Sequence, residues 1–313
     1  MFKRLTHYYR KLPFYLAYRA TPWTAALWGS YLYFGRIPQH QDAPVVIFTM
    51  GKVGTMSIWR SLLNAGVYYI KTTHYLHRAP RCYPFHERTI IQLNNAGRWE
   101  HRLLYPWLFK RPLVRVITMV REPIGRLVSI YLFSYTMRFG VKIEDVPLQA
   151  LLDNFMRLFE QEFEHPLVPG YFMAVELNKN MGIDVYQEPF SHENGVSVIE
   201  EKNISLLTMK LEISDERKAN ALANWMGRSI DIARWNTAES EGYAKVYGEF
   251  KRRVRIPYRY AEAMYQSAYM QHFYTAEERT NFWNRWEPQL DRTLVVPDWI
   301  EDQLQAYHPP VDT

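Results

Sequence analysis

The stretch VVIFTMGKVGTMS, Val45 to Ser57, decides how the chain is to be read. Its first six residues are short, β-branched and continuously apolar, as in a strand covered on both faces. The run stops at Gly51, and Thr55 to Ala65 has the character of a helix. A turn leaving the carboxyl end of a buried strand and entering a helix aims several backbone N–H groups at one spot, where the helix dipole adds positive potential. An anion fits there. Gly51 and Gly54 are expected to permit positive φ and close approach, Thr55 and Ser57 to add hydroxyl donors, and Lys52 a full charge. This is not a Walker A loop, in which the lysine follows the second glycine and a Ser/Thr holds magnesium. The other reading of the same residues is a structural turn with a solvated Lys52.

Outward from this loop, VYYIKTT (67 to 73) reads as a second strand, the stretch to about Arg111 as helix and loop, and LVRVITMV (113 to 120) as a third strand. Pro123 fits the first turn of the next helix, where its missing N–H costs nothing. Strand, helix, strand, helix, strand implies parallel pairing with right-handed crossovers. Further along, LQALLDNFMRLFEQEF (148 to 163) has helical spacing, VSVIEE (196 to 201) and ISLLTMKLE (204 to 212) read as strands, and a helix runs from a Ser214 cap to a stop at Gly227. A helical block from Tyr258 to Trp286 follows. The expected fold class is α/β: a P-loop-like parallel sheet flanked by helices, with additional helical segments in the middle and C-terminal parts.

The third strand ends in VREPIGRLVSIYLF (120 to 133), with Arg121 at the carboxyl edge of the sheet and Ser129 about two turns into the next helix. A guanidinium fork and a hydroxyl make a clamp for a phosphate monoester. Alternatively, Arg121 pairs with Glu122 or a surface acid, and Ser129 merely caps or packs.

Together the two segments resemble the 3′-phosphoadenosine-5′-phosphosulfate (PAPS) sulfotransferase superfamily. K-V-G-T at Lys52 to Thr55 is similar to its 5′-phosphosulfate loop, and R-E-P-I-G-R-L-V-S-I-Y at Arg121 to Tyr131 is similar to its 3′-phosphate element. The resemblance implies the sulfotransferase fold, PAPS as sulfuryl donor and no required metal. It implies that Gly51, Lys52, Val53, Gly54, Thr55, Met56 and Ser57 line the 5′ site, and Arg121 and Ser129 the 3′ site. Arg126 belongs to the same pattern without an evident role. GIDVYQEPF, LLTMKLEIS and HFYTAEE look like a bacterial sulfotransferase-like group associated with capsular polysaccharide synthesis. His272, Phe273 and Tyr274 stand out only through that likeness.

On this reading Lys52 neutralises charge on the oxygen between sulfur and the 5′-phosphate, and an acceptor hydroxyl gives its proton to a base. His74, just past the second strand, is the first choice, with His77 behind it; a structural histidine is the alternative for each, and the resemblance also leaves an acidic residue open as the base, since some sulfotransferases use Glu. The expected activity is sulfuryl transfer to a carbohydrate hydroxyl in capsular or cell-surface polysaccharide synthesis. The competing readings are a P-loop kinase or other NTP-dependent transferase, and a noncatalytic glycan-assembly protein that retains the fold.

Composition narrows the partners. The 313 residues carry a net charge of +6, which favours an anionic partner. Nucleotides, sulfated or acidic glycans, nucleic acid and membrane surfaces all meet that description; the resemblance implies PAPS together with a carbohydrate or other hydroxyl-bearing acceptor, and no nucleic acid. Cys82 is the only cysteine, so no internal disulfide forms, and a reducing compartment is compatible. Residues 1 to 43 read as a basic, aromatic arm suited to peripheral membrane contact, or equally as a helix packed on the domain; residues 44 to 313 read as one domain. The arm's charge-free part, Ala20 to Gly35, contains Pro22 and is shorter than the roughly 20 residues that a spanning helix needs. A cytoplasmic protein, possible at the membrane surface, is the expectation. The basic run KRRVRIP (251 to 257) reads first as a solvated face.

Overall fold

The computed structural model describes residues 43–67, 70–74, 110–160, 169–234 and 244–307. The N-terminal arm, His77, Cys82 and the predicted helix and loop before Arg111 lie outside the described residues. Four strands in the chain's first two-thirds and one hairpin partner form a five-stranded sheet ordered β2-β1-β3-β5-β4. The strands are β1 (Val45–Phe48), β2 (Ile70–Thr73), β3 (Val114–Val120), β4 (Val196–Glu201) and β5 (Ile204–Lys210). β1 pairs in parallel with β2 and β3, and β3 in parallel with β5. The continuous apolar run of β1 predicts its full burial; every residue of β5 is buried as well, although Ser205, Thr208 and Lys210 interrupt its apolar character.

β4 departs from the parallel expectation and runs antiparallel to β5. Only Lys202 and Asn203 separate the two strands, and a connection that short closes a hairpin, whereas a parallel return needs a dozen residues or more. Lys202 takes positive φ (54°) to make the turn.

Helix α1 (Thr55–Asn64) follows β1, and α2 (Pro123–Phe139) follows β3. Glu122 caps α2 by accepting from the N–H groups of Ile124 (2.8 Å) and Gly125 (2.7 Å); Gly140 closes it in the left-handed region. Next come α3 (Leu148–Glu160), a helical turn Pro169–Tyr171 that runs into a π-helical stretch Phe172–Lys179, and α4 (Asp215–Met226). As the sequence predicts, Ser214 caps α4 through the Arg217 N–H, and Gly227 (φ 69°) ends it.

The two faces of the sheet are covered differently. On one, Trp225 of α4 lies over Arg115 and donates to Ser205 Oγ, and Arg228 reaches the Ala65 carbonyl beyond α1. On the other, Phe172 packs on Phe48 with ring centroids 4.9 Å apart. α2 and α3 meet α5 (Ala244–Arg253) through the Tyr131, Phe155 and Phe250 rings.

The C-terminal helical block is made of three helices: α6 (Tyr258–Gln266), α7 (Ala268–Phe273) and α8 (Ala276–Trp286). Ser267 caps α7 and Thr275 forms a capping box with Glu278, so each break is a local N-cap signal inside an otherwise helical pattern. A small parallel pair, β6 (Ile256–Pro257) and β7 (Leu290–Asp291), brackets the block, and α9 (Asp298–Tyr307) follows. Among the described residues no helix is long and apolar enough to cross a membrane.

Candidate functional site

The chain leaves β1 toward β2 on one side, and then returns to β3 on the other side of β1. The loops after β1 and β3 therefore diverge and open a crevice at the carboxyl edge, the place where doubly wound sheets hold ligands. Both predicted segments arrive there. Arg121 Nη1 donates to the Lys52 carbonyl over 2.7 Å, so the loop after β1 and the residue after β3 are in direct contact.

Inside the loop the conformations are not the expected ones. Gly51 has no positive φ; Lys52 has one (65°), as does Gly54 (87°). A left-handed lysine costs roughly 1 to 2 kcal/mol, and the bond from a charged guanidinium to its carbonyl, typically worth about 1.5 to 3 kcal/mol, offsets it. Gly54 is the N-cap of α1 and has no side chain with which to cap, and no acidic residue occupies the first turn. The Ser57 N–H turns back to the Gly54 carbonyl (3.0 Å), while those of Thr55 and Met56 precede the first intrahelical bond. This is an electropositive helix start able to take an oxyanion.

The remaining loop residues divide by exposure. Val53 is fully buried, and can offer only its backbone. Thr55 is buried and its hydroxyl pairs with Thr49 Oγ1 at 2.7 Å; Ser57 is half-buried and Met56 exposed. Gly54 is required by its φ; a Cβ there would also sit 2.9 Å from Leu211 Cδ1, a side-chain end that would have to shift. Gly54→Ala is expected to destabilise the protein by roughly 1 to 3 kcal/mol in urea unfolding, whereas Gly51→Ala, with nothing within 4 Å of its Cβ, changes little.

On α2, Gly125, Ser129 and Phe133 are spaced at one-turn intervals along a face. The Lys52 ammonium stands 4.5 Å from the centre of the Phe133 ring, and Arg121 Nη2 lies 3.8 Å from the Cβ position of Gly125. The two cations thus mark the ends of a span of about 12 Å along the helix. Ser129, half-buried, occupies the turn between them, and no hydrogen bond joins it to Arg121.

His74 follows β2 at the same edge. Its Nδ1 lies 2.6 Å from the Thr49 carbonyl oxygen, which only accepts, so Nδ1 carries the proton and Nε2 keeps its lone pair in the neutral ring. His74 is solvent-exposed by accessible area, although enough protein lies around it to desolvate the imidazole. Desolvation pushes its pKa down, the Thr49 bond opposes this, and the positive charge of buried Arg126 adds to the lowering.

Sequence reasoning missed Glu212. The strand predicted over 204 to 212 ends at Lys210, which places Glu212 in the crevice beside Arg121. Like His74 it is solvent-exposed by accessible area, with enough protein around it to desolvate its charge. It accepts from the Glu122 N–H (2.9 Å) and the Tyr274 hydroxyl (3.0 Å). Desolvation raises its pKa and Glu122 reinforces the rise, against the backbone N–H bonds and Arg121. The rule that found Arg121, a charged residue just past a buried strand, was available for Glu212 as well. Arg121 does not pair with Glu122: the Glu122 carboxylate is taken by the α2 N-terminus, the Tyr265 hydroxyl (2.5 Å) and Trp286 Nε1 (3.3 Å).

With this geometry in place, one comparison is informative. Residues 149–275 match the model of a family described as "Putative capsular polysaccharide synthesis protein". The matched segment takes in Glu212, Tyr265, Tyr269 and Tyr274, and leaves the Gly51–Ser57 loop, Arg121 and Ser129 outside. No curated protein and no solved structure matches the chain.

Proposed function

We propose that the protein moves a sulfuryl group from PAPS to a hydroxyl of a carbohydrate acceptor in the synthesis of a capsular or cell-surface polysaccharide. The observation that carries this reading is the Arg121 to Lys52 carbonyl bond, which holds two anion-binding segments at one switch point. Two anion pockets a short span apart suit a ligand with phosphate-type groups at both ends of one nucleoside. The matched capsular family supports a glycan as acceptor.

PAPS supplies a sulfuryl group on an activated bridging oxygen. The residues of the chain position that group and stabilise charge around it. The α1 start and Lys52 hold the 5′ end and neutralise charge on the departing oxygen; Arg121, with Ser129 beside it, holds the 3′-phosphate. Nε2 of His74 takes the proton of the acceptor hydroxyl as its oxygen bonds to sulfur.

Labelled sulfate offered as PAPS, with a panel of cell-envelope glycans, tests the activity. Transfer that survives chelation supports the proposal. Turnover of ATP abolished by chelation establishes a kinase-type enzyme instead, and binding of adenosine 3′,5′-bisphosphate without transfer to any acceptor establishes a noncatalytic role. Arg121→Ala is expected to weaken adenosine 3′,5′-bisphosphate by about 10- to 100-fold in calorimetry, leaving adenosine 5′-phosphate nearly unchanged. Equal losses for both nucleotides would remove Arg121 from the 3′ site.

A further inference from the structure

We infer that Tyr269 is a positioning residue for Arg121, and that α6 to α8 act as an external jig for the two peptides at which the chain leaves β3. The inference rests on the sulfotransferase reading of the crevice, and assigns a role to a part of the chain that lies outside both motifs in sequence.

β3 ends at Val120, whose carbonyl still accepts from the Leu211 N–H (2.8 Å). Arg121 is the next residue, past the last strand pairing and before the first helical turn. Its backbone groups still require partners, since a buried peptide left without them costs as much as a lost hydrogen bond. One side chain serves both: the Tyr269 hydroxyl accepts from the Arg121 N–H and donates to the Arg121 carbonyl, each at 3.0 Å. Tyr269 is fully buried, and burial holds its hydroxyl protonated, so the donated bond persists across the working pH range.

The next peptide is held by the same block. The Glu122 N–H donates to Glu212, whose other oxygen accepts from Tyr274. The Glu122 side chain is gripped by Tyr265 of α6 and Trp286 of α8. The guanidinium end of Arg121 is tied to the Lys52 carbonyl. Arg121 is therefore fixed at both ends, its backbone by the C-terminal helices and its tip by the phosphate loop. A guanidinium fork binds phosphate bidentately only within a narrow orientation, so loosening the backbone end loses the fork before it loses the charge.

Tyr269→Phe removes the hydroxyl and keeps the ring that packs on Phe273 and Tyr274. Calorimetry with adenosine 3′,5′-bisphosphate and adenosine 5′-phosphate gives an affinity ratio that general destabilisation does not move. The wild type is expected to favour the bisphosphate; Tyr269→Phe is expected to cut that preference about tenfold, with adenosine 5′-phosphate within about twofold of wild type. An unchanged ratio, or equal weakening of both nucleotides, overturns the positioning role. A wild type without preference overturns the reading of the crevice itself, a separate result. Should Tyr269→Phe fail to show a cooperative thermal transition, Tyr274→Phe loosens the neighbouring peptide through Glu212. It is then expected to lower the ratio in the same direction, and an unchanged ratio overturns the inference.

Discussion

Alanine in place of His74 is expected to slow sulfuryl transfer by about 10² to 10⁴, while PAPS affinity stays close to wild type. The asymmetry follows from where the ring is tied. Its Nδ1–H is committed to the Thr49 carbonyl at 2.6 Å, which orients the imidazole from the end of β1 and leaves Nε2 as the basic atom. Among the described residues the ring bonds only the Thr49 carbonyl, and the bonds that join Arg121 to Lys52 and Thr55 to Thr49 Oγ1 do not pass through it. The lowered pKa of His74 sets the sign of the pH profile. The neutral ring is the active form and dominates at neutral pH; the rate falls as pH drops through the histidine pKa, and the variant loses that acid limb. Initial rates and equilibrium binding across pH 5 to 8 check both parts. An unchanged rate would transfer the role of base to Glu212, the other crevice group with a shifted pKa, or to His77.

Lys52→Ala is expected to lower kcat by about 10² to 10³, the usual scale for losing one group that stabilises developing negative charge. The preference for a 3′-phosphate should survive. Arg121 is held by the carbonyl of Lys52 rather than by its ammonium, and alanine supplies the same carbonyl from the same backbone turn. The cation over Phe133 is lost, at a typical cost of about 0.5 to 1 kcal/mol for an exposed pair, too little to unfold the protein. Single-turnover rates with saturating donor, beside nucleotide affinities with and without a 3′-phosphate, separate the two ends of the site. A variant that keeps its rate, or that loses the 3′ preference together with it, contradicts this division.

Much of the architecture was legible because its signals are local. An uninterrupted apolar run marks β1 as a strand buried on both faces, predominantly β-branched and apolar stretches mark β3 and β5 as strands, and Ser214 with Gly227 brackets α4. The antiparallel edge strand was equally readable from the two-residue gap between β4 and β5, had connection length been weighed beside composition. The long helical pattern of the C-terminal block concealed its breaks because Ser267 and Thr275 sit among good helix formers, where only the N-cap bonds tell them apart.

The site was legible in kind rather than in detail. Spacing alone marked Lys52 and Arg121 as residues of the same sheet edge, but no pattern places the positive φ on Lys52 in preference to Gly51. Arg121 takes a carbonyl as partner where a carboxylate was the obvious candidate, because Glu122 is drawn away by the unpaired N–H groups at the start of α2.

By itself the chain's sequence determined that a buried parallel sheet forms and that its first and third strands end in anion-binding residue types, since strand burial and helix starts depend on neighbours within a few residues. Only the tertiary structure decided that these ends meet, that Glu212 joins them, and that a tyrosine far downstream in the chain bonds both backbone groups of Arg121. Those bonds link groups with large sequence separation (148 positions for Arg121 and Tyr269), and nothing in local periodicity records which distant hydroxyl will satisfy a peptide that has run out of strand.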